Sequence, residues 1–239
     1  MAKTIDGVHT TAYRMRHATA QGAGASHTTI GITDLMTSLA IVFILLFAAQ
    51  ITDTSSAAQS ELQDNKEDVQ TALRDHIQRL GLSLDADPRD PLALLIVVPE
   101  NLLTFELGKS TLSPTAEQFL ADALPFYVGA LCGPLRDKID SLAIEGHTDN
   151  QGSDAFNLKL SQERSLAVMV KGLEVIQTTE PASYQCFQEI TSAAGRGRQD
   201  LIYDSHAVVN REKSRRVIFK IRLRSAEQRH LREQSAKAL

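Results

Sequence analysis

Residues 30–49 read IGITDLMTSLAIVFILLFAA, a run of 20 residues in which Asp34 is the one charged side chain. As a helix such a run reaches about 30 Å, the thickness of a bilayer's hydrocarbon core, so it is expected to cross a membrane once. Lys3, Arg14 and Arg16 lie before it, whereas Asp53, Glu61, Asp64, Glu67 and Asp68 follow it. This basic bias places the N-terminus in the cytoplasm and the remainder of the chain outside. A cleaved secretory leader is the alternative, with AAQ after Phe47 as its cleavage site. The long stretch before the apolar run and the acid inside it argue against that alternative. The first cysteine is Cys132, which leaves no attachment point for a lipid near the segment.

An ionised carboxylate near a bilayer's centre costs about 2.5–3.5 kcal/mol on insertion scales and usually faces a partner or a water path. Thr37, Ser38 and Ile41 follow Asp34 at i+3, i+4 and i+7, which puts two hydroxyls on the acid's own stripe and turns that stripe toward protein. The competing reading has Thr33 or Asp34 capping a helix that starts at the cytoplasmic interface. The string TDLMTSLAIVFILLF (33–47) resembles the ADFMTAMMAFF type of segment in flagellar stator B subunits, matching at Asp34, Met36 and Thr37. By that resemblance Asp34, with Thr37 and Ser38, takes up and releases a transported ion, H⁺ or Na⁺, against a ring of polytopic A subunits. A carboxylate that alternates between charged and neutral forms is a two-state element, and each charge moved yields about 2.3 kcal/mol per 100 mV.

Residues 52–79 are polar and lack Gly and Pro, with Leu62, Val69, Leu73, Ile77 and Leu80 on one helical stripe. Lys66 breaks that stripe, and two forms stay open: a short paired coiled coil, or a solvated single helix continuing from the membrane. Gly81 and the run DADPRDP end the helix. The expected division is therefore a tail (1–29), a membrane helix (30–51), a helical linker (52–91), an outer domain (92–224) and a second tail (225–239).

Beyond Pro91, short apolar strands alternate with amphipathic stretches, which is the pattern of a sheet covered by helices. LALLIVV (92–98) is a strand that NLLTF continues. Ser113 before Pro114 starts a helix running to about Leu131. KIDSLAIEG is a second strand, residues 160–176 a second helix, FQEITSAAG a third strand and RRVIFKIRL a fourth. The order is βαβαββ, and the fold class is α+β.

Between the second strand and the second helix lies GHTDNQGSDAFNLKLSQERSLAVMV, the stretch with most chemistry per residue. Singly, Asp149 and Arg164 read as a surface ion pair and His147 as a hydrogen-bonded structural histidine. As a set, Gly146, His147, Thr148, Asp149, Gly152, Asn157, Leu160, Ser161 and Arg164 are similar to the peptidoglycan-binding module of the OmpA family, over about residues 92–224. The resemblance implies that Asp149 and Arg164 grip the diaminopimelate of the stem peptide, with Phe105, Thr148, Asn157, Leu160 and Arg216 completing the pocket. An ammonium and a carboxylate on one ligand suit a carboxylate and a guanidinium fork. Ser161 as N-cap would further place Arg164 at the positive end of a helix dipole. Departures from the family are Ser165 for Ala, Ser214 where NRRV begins with Asn, and Glu106 for an Asp.

Cys132 and Cys186 fall outside the membrane segment, in an oxidising compartment if the orientation holds. They can pair if the second and third strands are parallel neighbours, with two buried free thiols as the alternative. The tail past Arg224 is charged and Ala-rich, and no role is assigned to it.

A net charge of -4 offers no positive field for nucleic acid. No nucleophile, metal cluster or phosphate loop competes, since GRGR at Gly195 lacks the lysine and spacing of a nucleotide loop. Neither an enzyme nor a cofactor is expected. The expectation is an ion-coupled stator-type subunit of the bacterial inner membrane with a periplasmic wall-binding domain. Its expected partners are the A-subunit ring, a second copy of the chain and peptidoglycan. The string DLMTS and the short chain also resemble the B subunit of the Zorya anti-phage system, which would add cytosolic defence effectors. A flagellar stator subunit and a passive OmpA-type wall anchor, with Asp34 only a cap, are the rivals.

Overall fold

The computed structural model describes residues 26–106 and 108–237, with the backbone alone at 26–34, 51–58, 230, 233, 236 and 237. Two units divide at Thr54/Ser55. In the first, helix α1 (Ser26–Arg79) begins, and the large apolar side chains from Leu35 (71 % exposed) to Phe47 (68 %) all lie open. A helix apolar all round is one whose partner is lipid or protein. Among the described residues no helix is long and apolar enough to cross a membrane. The side chain of Asp34 lies outside the described residues, while Thr37 and Ser38 sit on exposed positions of α1.

In the second unit, α1 ends as its sequence dictates. Gly81 takes a positive φ of 70°, its N–H meets the Gln78 carbonyl, and the Leu82 N–H reaches back to Ile77. Those two bonds satisfy the last carbonyls of the helix, and only glycine adopts that backbone freely. The linker is part of one unbroken helix, as one of the two forms had it, but its stripe is not solvated. Val69 and Leu73 are fully buried and Ile77 nearly so, packed into the core of the outer domain. Lys138–Asp68 and Arg229–Glu61 ion pairs flank the packed face.

The elements that follow are β1 (Leu84–Ala86), β2 (Ala93–Pro99), α2 (Pro114–Cys132), β3 (Ile139–His147), α3 (Asp154–Thr179), α4 (Tyr184–Ile190), β4 (Thr191–Gly197), α5 (Arg211–Ser214), β5 (Arg216–Leu223) and α6 (Ala226–Lys237). A 3₁₀ turn, Pro181–Ser183, precedes α4. Strand order is β1-β2-β5-β3-β4, with β3 and β4 parallel and every other pair antiparallel. Helix α3 makes the crossover between the parallel pair, as a parallel connection requires. From β2 onward the long elements follow the expected βαβαββ order, a mixed α+β fold.

Ser113 caps α2 through the Ala116 N–H, and Pro114 follows it. Three local expectations are corrected, and one strand is added. NLLTF does not continue β2, because the chain turns after Pro99 and returns through a Phe105–Leu112 bridge. FQEI belongs to α4, so β4 starts at Thr191. Strand β1 was not anticipated. Helix α3 starts at Asp154 with Ser153 as its cap, not at Ser161, so Arg164 sits in its third turn, beyond the reach of the helix dipole. Cys132, closing α2, and Cys186, on α4, form a disulfide across 54 residues. Past Arg224 the chain is helical as α6, whose Arg229 carries the bond to Glu61.

Candidate functional site

The site grows from the carboxyl end of β3. A Cβ on Gly146 would stand 2.3 Å from the Ser161 carbonyl, and one on Gly195 would stand 2.6 Å from the Gln162 nitrogen, so these glycines let α3 lie directly on β3 and β4. Ser161 is fully buried in that seam, accepting the Gly197 N–H at 2.8 Å and donating to the Leu158 carbonyl. Its role is packing, which explains why it does not cap.

After His147 the chain is tied back by the Thr148 N–H to the Gly197 carbonyl at 2.9 Å. Asp149 then folds the loop onto itself, its Oδ1 accepting the Gln151 N–H at 2.9 Å, and Gly152 supplies a positive φ of 87°. Ser153 starts α3, and Asn157 returns a hydrogen bond to the Gln151 carbonyl at 2.7 Å. Asn157, Leu160 and Arg164 stand at i, i+3 and i+7, one stripe of α3 facing the loop.

Across from them, the segment after β2 contributes Glu100 and Phe105. The Arg164 guanidinium lies 4.8 Å from the centre of the Phe105 ring, and its Nε donates to the Lys109 carbonyl at 3.0 Å. Its terminal nitrogens have no hydrogen-bond partner among the described residues, which leaves the open edge of the fork toward the cavity. Burial works against the charge of Arg164 and lowers its pKa, while the Glu100 carboxylate opposes that shift.

The cavity measures 340 Å³ and is lined by Phe105, Thr148, Asp149, Asn157, Leu160 and Arg164, six of the seven residues expected there. Arg216 is not among them. It lines a small adjoining cavity with Glu100, Phe105 and Arg164, donating to the Ser214 and Asp200 carbonyls, and burial depresses its pKa. Its neighbour Arg215 occupies the main cavity instead, with Nη1 2.9 Å from Asp149 Oδ2 and Nε 2.5 Å from Glu100 Oε2. Partial burial disfavours the Arg215 charge, and the Glu100 and Asp149 carboxylates outweigh it to raise the pKa. Glu100, Gln151, Phe156 and Arg215 are lining residues that sequence reasoning missed. A signal for Arg215 existed, because consecutive residues at a strand start point to opposite faces and one of Arg215 and Arg216 had to face the loop.

Beneath the cavity, His147 is 3 % exposed, with Nδ1 on the Gln199 carbonyl at 3.2 Å. Its burial, aided by the nearby Arg216 charge, pushes its pKa down to about 4. His147 is therefore a neutral structural residue at ordinary pH.

A small β-sheet packed against α3, with a loop-and-helix pocket at the end of its parallel strands, is a fold that recurs among solved structures. The fold is similar to that of a putative MotB-like protein from Desulfovibrio vulgaris, at 23 % identity over 70 % of this chain and 96 % of that one, with a TM-score of 0.51. The periplasmic domain of Helicobacter pylori MotB is also similar, at 14 % identity over 66 % of this chain and 90 % of that one, with a TM-score of 0.46. In sequence, 67 residues are 40 % identical to outer membrane protein P5 of Haemophilus influenzae, which is 28 % of this chain and 17 % of that protein. The chain thus spans under a fifth of the length of the curated relative it matches. No family model matches the chain.

Proposed function

We propose that the outer domain anchors the protein to peptidoglycan by holding the diaminopimelate end of a stem peptide in the cavity between β3 and α3. One observation carries this reading: Asp149 and Arg164, both more than nine-tenths buried, line one cavity, and no hydrogen bond among the described residues engages the guanidinium's terminal nitrogens. Such a site can receive one ammonium and one carboxylate in register. Co-sedimentation of the full chain with purified sacculi tests it. Arg164→Ala should lose sedimentation while circular dichroism shows the variant still folded, and retained sedimentation overturns the assignment.

The N-terminal segment extends the reading to a stator-type subunit. In it, residues 30–51 cross the inner membrane with the N-terminus cytoplasmic, and Asp34, assisted by Thr37 and Ser38, exchanges H⁺ (or Na⁺) against a polytopic A-subunit ring. The acid within the apolar run supports this, as does the match of Asp34, Met36 and Thr37 to the stator pattern. The protein works as a dimer, and the DLMTS string favours a role in an anti-phage system of the Zorya type, whose motion reaches cytosolic effectors. Asp34→Asn should abolish ion-driven function while expression and sacculus binding persist. An unaffected variant reduces the protein to a passive wall anchor.

A further inference from the structure

We propose that Glu100 is the residue that makes the cavity select a ligand with a free ammonium, and that Asp149 does not do so by itself. This rests on the reading of the cavity as the wall-peptide site and names what decides its ligand.

Both oxygens of Asp149 are engaged, Oδ1 by the Gln151 N–H and Oδ2 by Arg215 Nη1, so its charge is already matched by a guanidinium. The same guanidinium holds Glu100 Oε2 through Nε. Glu100, Arg215 and Asp149 therefore form a carboxylate–guanidinium–carboxylate chain whose surplus is one negative charge, and that surplus exists because Glu100 is present. Glu100 Oε1 has no hydrogen-bond partner among the described residues, and the side chain lines the cavity. Opposite stands Arg164, which makes no ion pair: its direct partners are a backbone carbonyl and an aromatic face, and the Glu100 and Asp149 carboxylates act on its charge only from a distance. The cavity is thus dipolar, with one surplus negative charge facing one unmatched positive charge. A ligand bearing an ammonium and a carboxylate matches it, whereas acetylation of the amine leaves the acidic side unmatched.

Glu100→Gln keeps the size of the side chain and an oxygen for Arg215 Nε but cancels the surplus charge. Glu100→Asp keeps the charge on a shorter stem. Isothermal titration would use the full chain in detergent with the tripeptide L-Ala-γ-D-Glu-diaminopimelate, and with the same tripeptide acetylated at the side-chain amine. The unsubstituted chain and Glu100→Asp should prefer the free amine, and Glu100→Gln should lose about fivefold of that preference, the upper size expected for a partly exposed charge contact. The acetylated peptide should bind the unsubstituted chain and Glu100→Gln alike, which also reports that the variant is folded. Full preference in Glu100→Gln overturns the assignment, and so does Glu100→Asp behaving as Glu100→Gln, because the effect would then be one of shape. An unsubstituted chain that binds neither peptide overturns the wall-peptide reading itself and this inference with it.

Discussion

Leu73→Ala isolates the most consequential packing feature, the burial of the α1 stripe in the outer domain. Leu73 is 0 % exposed, as is Val69 one turn before it, and Ile77 one turn after is 2 % exposed. Removing three buried carbons forfeits about 2.4 kcal/mol of transfer free energy at 0.8 kcal/mol per methylene. Leu73 belongs to the outer domain's core cluster, which collapses only in part, and a cavity cost brings the total to about 3–4 kcal/mol. For a domain of this size each kcal/mol moves the melting temperature by about 2–4 °C, so the variant should melt roughly 6–16 °C lower. Glu67→Ala, on an exposed position of the same helix, is the control and should stay within about 0.5 kcal/mol of the parent. Differential scanning calorimetry of both variants in the full chain reads the comparison. Equal melting of Leu73→Ala and the parent would refute the reasoning, because a solvated linker or a coiled coil between copies would leave the outer domain untouched.

Three further outcomes follow from the same structure. Replacing Cys132 and Cys186 together by Ala opens a loop closed across 54 residues, which should cost about 4 kcal/mol in chemical denaturation on the chain-entropy model, and an unchanged midpoint would contradict it. Gly146→Ala pushes a methyl against the Ser161 carbonyl, 2.3 Å away, and should destabilise by about 1–3 kcal/mol as α3 lifts from β3; a neutral melting curve would show that the seam yields freely. His147 remains neutral in the fold down to about pH 4 while its unfolded form protonates near 6.5. The unfolded state therefore binds more protons between those values, so its contribution is complete above pH 6.5 and up to about 3 kcal/mol is lost as pH falls to 4. His147→Gln should flatten that part of the stability-versus-pH curve, and an unchanged slope would place the titration elsewhere.

What could be read in advance was local, and what could not was set by distant contacts. Ser113 beside Pro114 states a helix start within two residues, and α2 begins there. The apolar alternation of KIDSLAIEG marks β3 because its buried positions, Leu142 and Ile144, face helices on one side only. Short apolar runs are ambiguous between the two periods, which is why FQEI passed for strand although its Phe187 and Ile190 are buried from a helix. Ser153 followed by Asp154 carried as good a start signal as Ser161, and the two separate only once the Gly146 and Gly195 approaches commit Ser161 to the seam. The stripe of α1 was visible, yet its partner was not, because helical periodicity marks an apolar face without saying what covers it. The same limit applies to Arg215 and Arg216, adjacent residues whose opposite directions are fixed by the register of β5 against β3.

The most direct measurement is a crystal structure of the outer domain within the full chain, soaked with the diaminopimelate tripeptide. The expected result is density in the cavity between β3 and α3, with the ligand's carboxylate on the terminal nitrogens of Arg164 and its ammonium beside Asp149 and Glu100. Density on another face of the domain, or a ligand in the cavity that touches neither Arg164 nor Asp149, would contradict it.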